Sequence, residues 1–357
     1  MAYERESIQR MSGYVPGKQP ASPTTVKLNT NENPYAPSPA VMRALHGIEP
    51  DSLRRYPEPM SLAFRELAAQ THGVGANEIV AVNGGDELLR LAITTFVEPG
   101  RPIGMLEPSY SLYPVLAQIH NSPIIGVAAG QGFGVPEDFA ARMNQAGVAL
   151  TFLVNPHAPS GLLTSKAAIA KIARELNSVL LVDEAYVDFV DPERAHDLLP
   201  LLHEHDNILF LRTMSKGYSL AGLRFGYGMG CASLIAPLLE KTRDSYNVDV
   251  VAQRLAQAAM ADRGYAQDTW RRVREERTRV RAALLALGCL VPESQSNFLL
   301  AQVPGDKSAP QALAALEAGG ILVRYFPAPR LDTALRITIG SPEQNDKLLS
   351  LLGVILR

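Results

Sequence analysis

Short apolar runs recur at 78–82, 103–106, 148–154, 179–182 and 207–211, separated by stretches with helical periodicity. Near-continuous apolar strands are buried on both faces, which marks a mostly parallel sheet covered by helices. Between the first two runs, Leu88, Leu89, Ala92, Ile93 and Phe96 fall on one helical face. The spacing predicts a further helix over 61–73. The fold class expected is α/β, a three-layer large domain with a mostly parallel sheet.

Beyond Gly230 the pattern changes. Cys231–Thr242 and Val250–Leu287 read as helices. Strands near 289–291, 297–301, 321–325 and 335–339 then alternate with helices at about 310–318 and 342–353, which reads as a smaller α+β domain. Prolines at 16, 20, 23, 34, 37 and 39 forbid a long helix over the first forty residues. The expected organisation is an N-terminal arm (1–40) joining the small domain and the active site, a large domain (41–248), and a small C-terminal domain (249–357). A length of 357 residues suits about two domains.

A net charge of −2 offers no basic field for nucleic acid and no reason to expect a membrane partner. Six arginines between 271 and 281 sit beside Glu275 and Glu276, the pattern of a solvated helix with i,i+4 pairs. No apolar run suits a signal peptide or a membrane span, so a cytoplasmic protein is expected. Cys231 and Cys289 have no metal-type spacing, and no metal is expected.

Each apolar run ends in a polar cluster, and in open α/β sheets ligands bind at those carboxyl ends. After 207–211 come Thr213, Ser215, Lys216 and Arg224, with glycines between them. A lysine nucleophile needs desolvation or a neighbouring cation, and the strand end and Arg224 offer both. Asp183, at another strand end, is costly unless paired; a protonated pyridine nitrogen is a suitable partner. Tyr110 can stack on a planar ring, and Tyr186 can donate to a ring oxygen. Thr213, Ser215, Arg224 and the amides of Gly84-Gly85-Asp86, which open a helix, suit a phosphate. Pyridoxal 5′-phosphate requires this whole set.

The chain resembles the fold-type I pyridoxal-phosphate aminotransferases, and among them the histidinol-phosphate aminotransferase family. The resemblance runs nearly the whole length. It is carried by Tyr14-Val15-Pro16-Gly17-Lys18, Asn31-Glu32-Asn33-Pro34-Tyr35, Arg55-Tyr56-Pro57-Glu58, Asp86-Glu87, Asp183-Glu184-Ala185-Tyr186, Ser215-Lys216, Ala221-Gly222-Leu223-Arg224 and Leu335-Arg336-Ile337-Thr338. It implies that Lys216 binds the cofactor aldehyde and shuttles the proton at the substrate Cα. Tyr56 would reach the cofactor phosphate of a second subunit, which makes the protein a homodimer. The implied reaction is a two-stage amino transfer between L-histidinol phosphate and 2-oxoglutarate. Substrate contacts fall to Tyr14, Asn31, Arg324 and Arg336. Arg336 lies in an apolar strand and needs an anion. Relatives with Asn-Pro-Thr-Gly use that asparagine on the ring hydroxyl, where this chain has Ala158. Asn155, His157 or Tyr186 alone is left for the role. Asn155 is preferred, and His157 reads as a solvent-exposed loop residue. Aromatic-amino-acid aminotransferases and threonine-phosphate decarboxylases share the cofactor residues, and a silent effector-binding domain is the remaining alternative.

Overall fold

The computed structural model describes residues 3–305 and 307–356. Met1, Ala2, Asp306 and Arg357, which belong to the expected arm and small domain, lie outside the described residues. In chain order the strands are β1 (Val26–Lys27), β2 (Ile79–Val82), β3 (Ile103–Glu107), β4 (Ile124–Ala128), β5 (Leu150–Val154), β6 (Val179–Asp183), β7 (Ile208–Thr213) and β8 (Gly226–Gly230). They continue with β9 (Phe298–Gln302), β10 (Ile321–Leu322), β11 (Arg324–Tyr325) and β12 (Ala334–Thr338).

Seven strands form the main sheet in the order β2-β8-β7-β6-β5-β3-β4. Only β8 runs against its neighbours; the rest are parallel. Both faces are covered. Leu88, Leu89 and Ile93 of helix Gly85–Phe96 pack with Leu181 and Leu209 on one side. Phe64, Val182, Phe210 and Phe225 lie on the other. Each such side chain contributes about 1.5–3 kcal/mol on burial, so packing on both faces holds the sheet together. The register sets Asp183 beside Val154 and Leu211, and the strand ends form one rim.

Two strands of the main sheet escape the sequence reading. β4 is an edge strand with its faces only partly covered, so its apolar signal is weak. β8 reads Gly-Tyr-Gly-Met-Gly, a poor strand by propensity. Its glycines answer to crowding: a Cβ on Gly226 would lie 3.0–3.1 Å from Arg212 O, Gly84 C and Gly85 N. The glycine lets β8 start against the Gly84–Gly85 turn.

In the smaller domain β11-β12-β9 form an antiparallel sheet. The arm joins it, because β1 pairs in parallel with β10. The helix expected over 250–287 is two, Val250–Ala261 and Arg263–Ala286, broken at Asp262, which takes a hydrogen bond from Ser38. Val250–Ala261 packs on Pro39–His46 and Leu62–His72. The segment 231–242 changes from α-helix to a wider π turn after Pro237, which has no amide hydrogen to give. In the arginine-rich helix, Arg271 pairs with Glu275 and Arg279 with Glu276 and Asp346. Arg277 departs from the solvated pattern. It is buried, and ties Phe189 O, Ser296 O and Asp191 together.

Candidate active site

A cavity of about 450 Å³ opens at the carboxyl rim of the main sheet, with walls from the large domain, the arm and the small domain. Of the expected site residues, Gly85, Asp86, Tyr110, Asp183, Tyr186, Thr213, Ser215, Lys216, Arg224, Tyr14, Asn31, Arg324 and Arg336 line it; Gly84, Asn155 and Tyr56 do not.

Lys216 follows β7, and its Nζ donates to the carbonyl of Thr30 at 2.8 Å. Desolvation, with the cations Arg336 and Arg224 nearby, lowers its pKa to about 8. Arg336, from the far domain, acts more strongly than Arg224, to which the sequence assigned the effect. At a pKa near 8 the amine can both gain and lose a proton close to neutral pH.

Asp183 ends β6, where it is 5% exposed. Its Oδ2 accepts from the Tyr113 hydroxyl at 2.8 Å and its Oδ1 from the Ala185 amide at 3.0 Å. Among the described residues no lysine, arginine or histidine forms an ion pair with it. Burial therefore raises its pKa to about 6, against those two hydrogen bonds. Tyr113 was not singled out from sequence, since its role arises only from the packing of helix Leu112–Ile119 against the sheet.

The phosphate-type ligands gather at one end. Thr213 Oγ1 donates to Ser215 Oγ (2.9 Å), and Arg224 approaches Ser215 Oγ (3.4 Å) and Asp86 (3.2 Å). Helix Gly85–Phe96 begins here with no side-chain cap, so its first amides face the cavity unclaimed by a side chain. Gly84 has φ +77°, and a Cβ there would lie 2.7 Å from Arg224 Nη2. A side chain at that position would push the guanidinium away.

The Tyr186 hydroxyl accepts from Asn31 Nδ2 at 2.9 Å, while Asn31 Oδ1 accepts from Thr338 Oγ1 at 3.0 Å. The threonine thus fixes the amide's orientation and leaves the tyrosine proton free to donate into the cavity. Asn31, expected as a substrate ligand, lines the cavity and also holds Tyr186. Asn297 Nδ2 bonds its carbonyl. Tyr110 stands edge-on to Tyr14 (6.0 Å) and Tyr113 (5.5 Å).

The expectation for Asn155 is corrected. Its amide is consumed by Thr164 O (3.2 Å), Thr164 N (2.8 Å) and His196 (3.3 Å), which closes the loop behind the rim. The residue at the cavity wall is Ala158. His157 is buried, not solvent-exposed. Its Nε2 donates to Pro108 O (2.9 Å), so Nδ1 accepts from Ser160 Oγ (2.7 Å), and burial lowers its pKa to about 4.

Arg336 gives one hydrogen bond, to Asn29 O at 3.2 Å; its Nε is buried with no partner, between Phe298 and Phe326. A buried donor of this kind calls for an anion. Arg324 donates to Val15 O and Pro16 O and so also pins the arm. Tyr56 is 79% exposed and stacks on Tyr246 at 4.4 Å.

An aldehyde-bearing, phosphorylated pyridine fits these residues. Asp183 is a buried carboxylate without a cation, Lys216 is a softened amine, and the glycine turn leaves room beside Arg224. The arrangement is that of a three-layer α/β enzyme gripping an anionic planar cofactor beside a lysine. The chain matches the model of aminotransferase class I and II over residues 23–352 and belongs to that family. Histidinol-phosphate aminotransferase 1 of Trichormus variabilis is 41% identical over 356 residues, 99% of each chain. Histidinol-phosphate aminotransferase of Citrifermentans bemidjiense is 40% identical over 352 residues, 98% of this chain and 97% of that one. The crystal structure of histidinol-phosphate aminotransferase from Sinorhizobium meliloti in complex with pyridoxal-5′-phosphate aligns with a TM-score of 0.89. At 23% identity, across 100% of this chain and 98% of that one, it marks the shared fold.

Proposed function

We propose that the protein is a pyridoxal-phosphate-dependent histidinol-phosphate aminotransferase of histidine biosynthesis. It interconverts L-histidinol phosphate and 2-oxoglutarate with imidazole-acetol phosphate and L-glutamate. The observation that carries the reading is the meeting, in one cavity, of a buried carboxylate with no cation, a lysine of lowered pKa and an arginine with a buried unpaired donor. The cofactor, when bound, supplies a ring that draws electrons from the substrate Cα.

Asp183 holds the ring nitrogen protonated, and Tyr113 orients the carboxylate. Tyr110 stacks on the ring, and Tyr186 alone donates to its oxygen. Thr213, Ser215, Arg224 and the amides of Gly85 and Asp86 bind the phosphate; the Gly84 amide is taken by Val82 O at 3.0 Å. Lys216 would hold the aldehyde, and its amine, which donates to Thr30 O, would carry the proton at the substrate Cα. Arg336 takes a carboxylate or a phosphate through its planar fork, which lets one site serve glutamate in one stage and a phosphate ester in the other. Arg324 and Tyr14 complete that wall.

Tyr56 does not line its own cavity. Tyr56 (79% exposed), Leu53 (60%) and Tyr246 (46%) support a homodimer in which it reaches the partner's phosphate end. No helix among the described residues is long and apolar enough to cross a membrane, which is compatible with a cytoplasmic enzyme. Single-turnover absorbance changes with L-histidinol phosphate, phenylalanine and threonine phosphate test the substrate. Histidinol phosphate should react fastest, by at least about tenfold. A faster turnover of phenylalanine, or carbon dioxide release from threonine phosphate, would refute the assignment.

A further inference from the structure

Three carboxylates line the cavity: Asp183, Asp86 and Glu32. The first faces the ring nitrogen and the second pairs with Arg224; Glu32 has no part in cofactor binding. It sits on the arm just beyond Thr30, and Thr30 links it to the reaction centre. The carbonyl of Thr30 accepts from Lys216, and its hydroxyl donates to Glu32 Oε2 at 2.9 Å. Lys27 Nζ donates to Oε1 at 2.5 Å. Each carboxylate oxygen therefore retains a free lone pair, and the side chain is 40% exposed. A cation on one side and a hydroxyl on the other fix the Glu32 carboxylate, an acceptor presented to whatever fills the cavity beside Lys216.

We propose that Glu32 accepts a hydrogen bond from the N–H of the substrate's azole ring and thereby selects an imidazole side chain over a phenyl one. This rests on the histidinol-phosphate reading and names the residue that makes the choice. A phenyl ring of similar size would cover the carboxylate without giving it a donor, leaving a desolvated charge. Sites built around a polar partner reject the analogue that lacks it far more strongly than apolar pockets reject a changed shape. An imidazolium gains further from the opposite charge.

The test compares L-histidinol phosphate with L-phenylalaninol phosphate on the holoenzyme. The pair shares the amine and the phosphate and differs only in the ring. Dissociation constants come from absorbance titration, with kcat/KM as a second readout. The unaltered protein should prefer the imidazole compound. In Glu32→Met that preference should fall about tenfold to a hundredfold, while Glu32→Gln, which keeps one acceptor oxygen, should retain most of it. A merely structural Glu32 would weaken both compounds by the same factor, and that result overturns the proposal. A second measurement needs no variant. As pH falls from 8 to 6 the imidazole gains its proton, so the preference should rise; a flat profile overturns the proposal. Absence of any reaction with histidinol phosphate in the unaltered protein would instead refute the substrate assignment itself.

Discussion

Two adjacent acids at the end of β6 have opposite surroundings. Glu184 turns to the back of the sheet, where it is 2% exposed and paired with Arg212 at 2.8 Å; His72 and Tyr227 lie alongside. Asp183 turns into the cavity, almost as buried, and meets only a hydroxyl and an amide. Behind the sheet the charge is answered and Arg212 has its pKa raised; in the cavity it is left open and Asp183 is pushed up to about 6. A buried charge that its own chain neutralises belongs to the fold, and one that it does not neutralise is held for a ligand. Lys216 and Arg336 lie on the open side too, each with a lowered pKa.

The contrast breaks most directly at Lys216. Lys216→Ala should keep the fold and lose transamination by at least about a thousandfold, since it removes the proton carrier, as measured by single turnover. Residual turnover near the parent rate would remove the lysine from the centre of the site.

The two acids should then respond with opposite signs. Glu184→Gln leaves Arg212 buried without its anion and should cost about 3–5 kcal/mol of stability. For Asp183, the folded pKa lies above the ordinary value of 3.8. The cofactor-free protein therefore loses stability as pH rises from about 4 to about 6, up to about 3 kcal/mol. Asp183→Asn should remove that loss, raising the melting temperature of the cofactor-free protein by several degrees while weakening cofactor binding. Equal destabilisation by both substitutions would erase the distinction.

Arg336→Met should weaken glutamate and histidinol phosphate alike, by about tenfold to a hundredfold, because both anions lose one guanidinium. Loss for only one substrate would end the shared-site idea. The same change removes a cation that holds the Lys216 pKa down. The rate of cofactor capture by the cofactor-free protein rises as the amine deprotonates, with a midpoint near pH 8, and that midpoint should move upward. Tyr113→Phe is the mildest change. It takes one hydrogen bond from Asp183 and should weaken cofactor binding by about threefold to tenfold.

What the sequence showed and what it hid follows the same division. Asp183, Lys216 and Arg336 were legible because a charge at the end of, or inside, an apolar strand is conspicuous in one dimension. Tyr113, Thr30, Asn297 and Thr338 were not, because each gains its role from a neighbour far along the chain. Asn155 was misplaced because composition does not show which way an amide turns, and the backbone of Thr164 claims it. β8 was hidden by glycines whose reason, the close Gly84–Gly85 turn, is tertiary.

The protonation state of the cofactor's ring nitrogen tests the claim about Asp183 most directly. It can be read by nitrogen-15 resonance on protein loaded with labelled pyridoxal phosphate. A protonated nitrogen from pH 6 to 9, becoming neutral in Asp183→Asn and staying protonated in a folded Glu184→Gln chain, is the expected result. A neutral nitrogen in the unaltered protein, or one indifferent to Asp183, would contradict it.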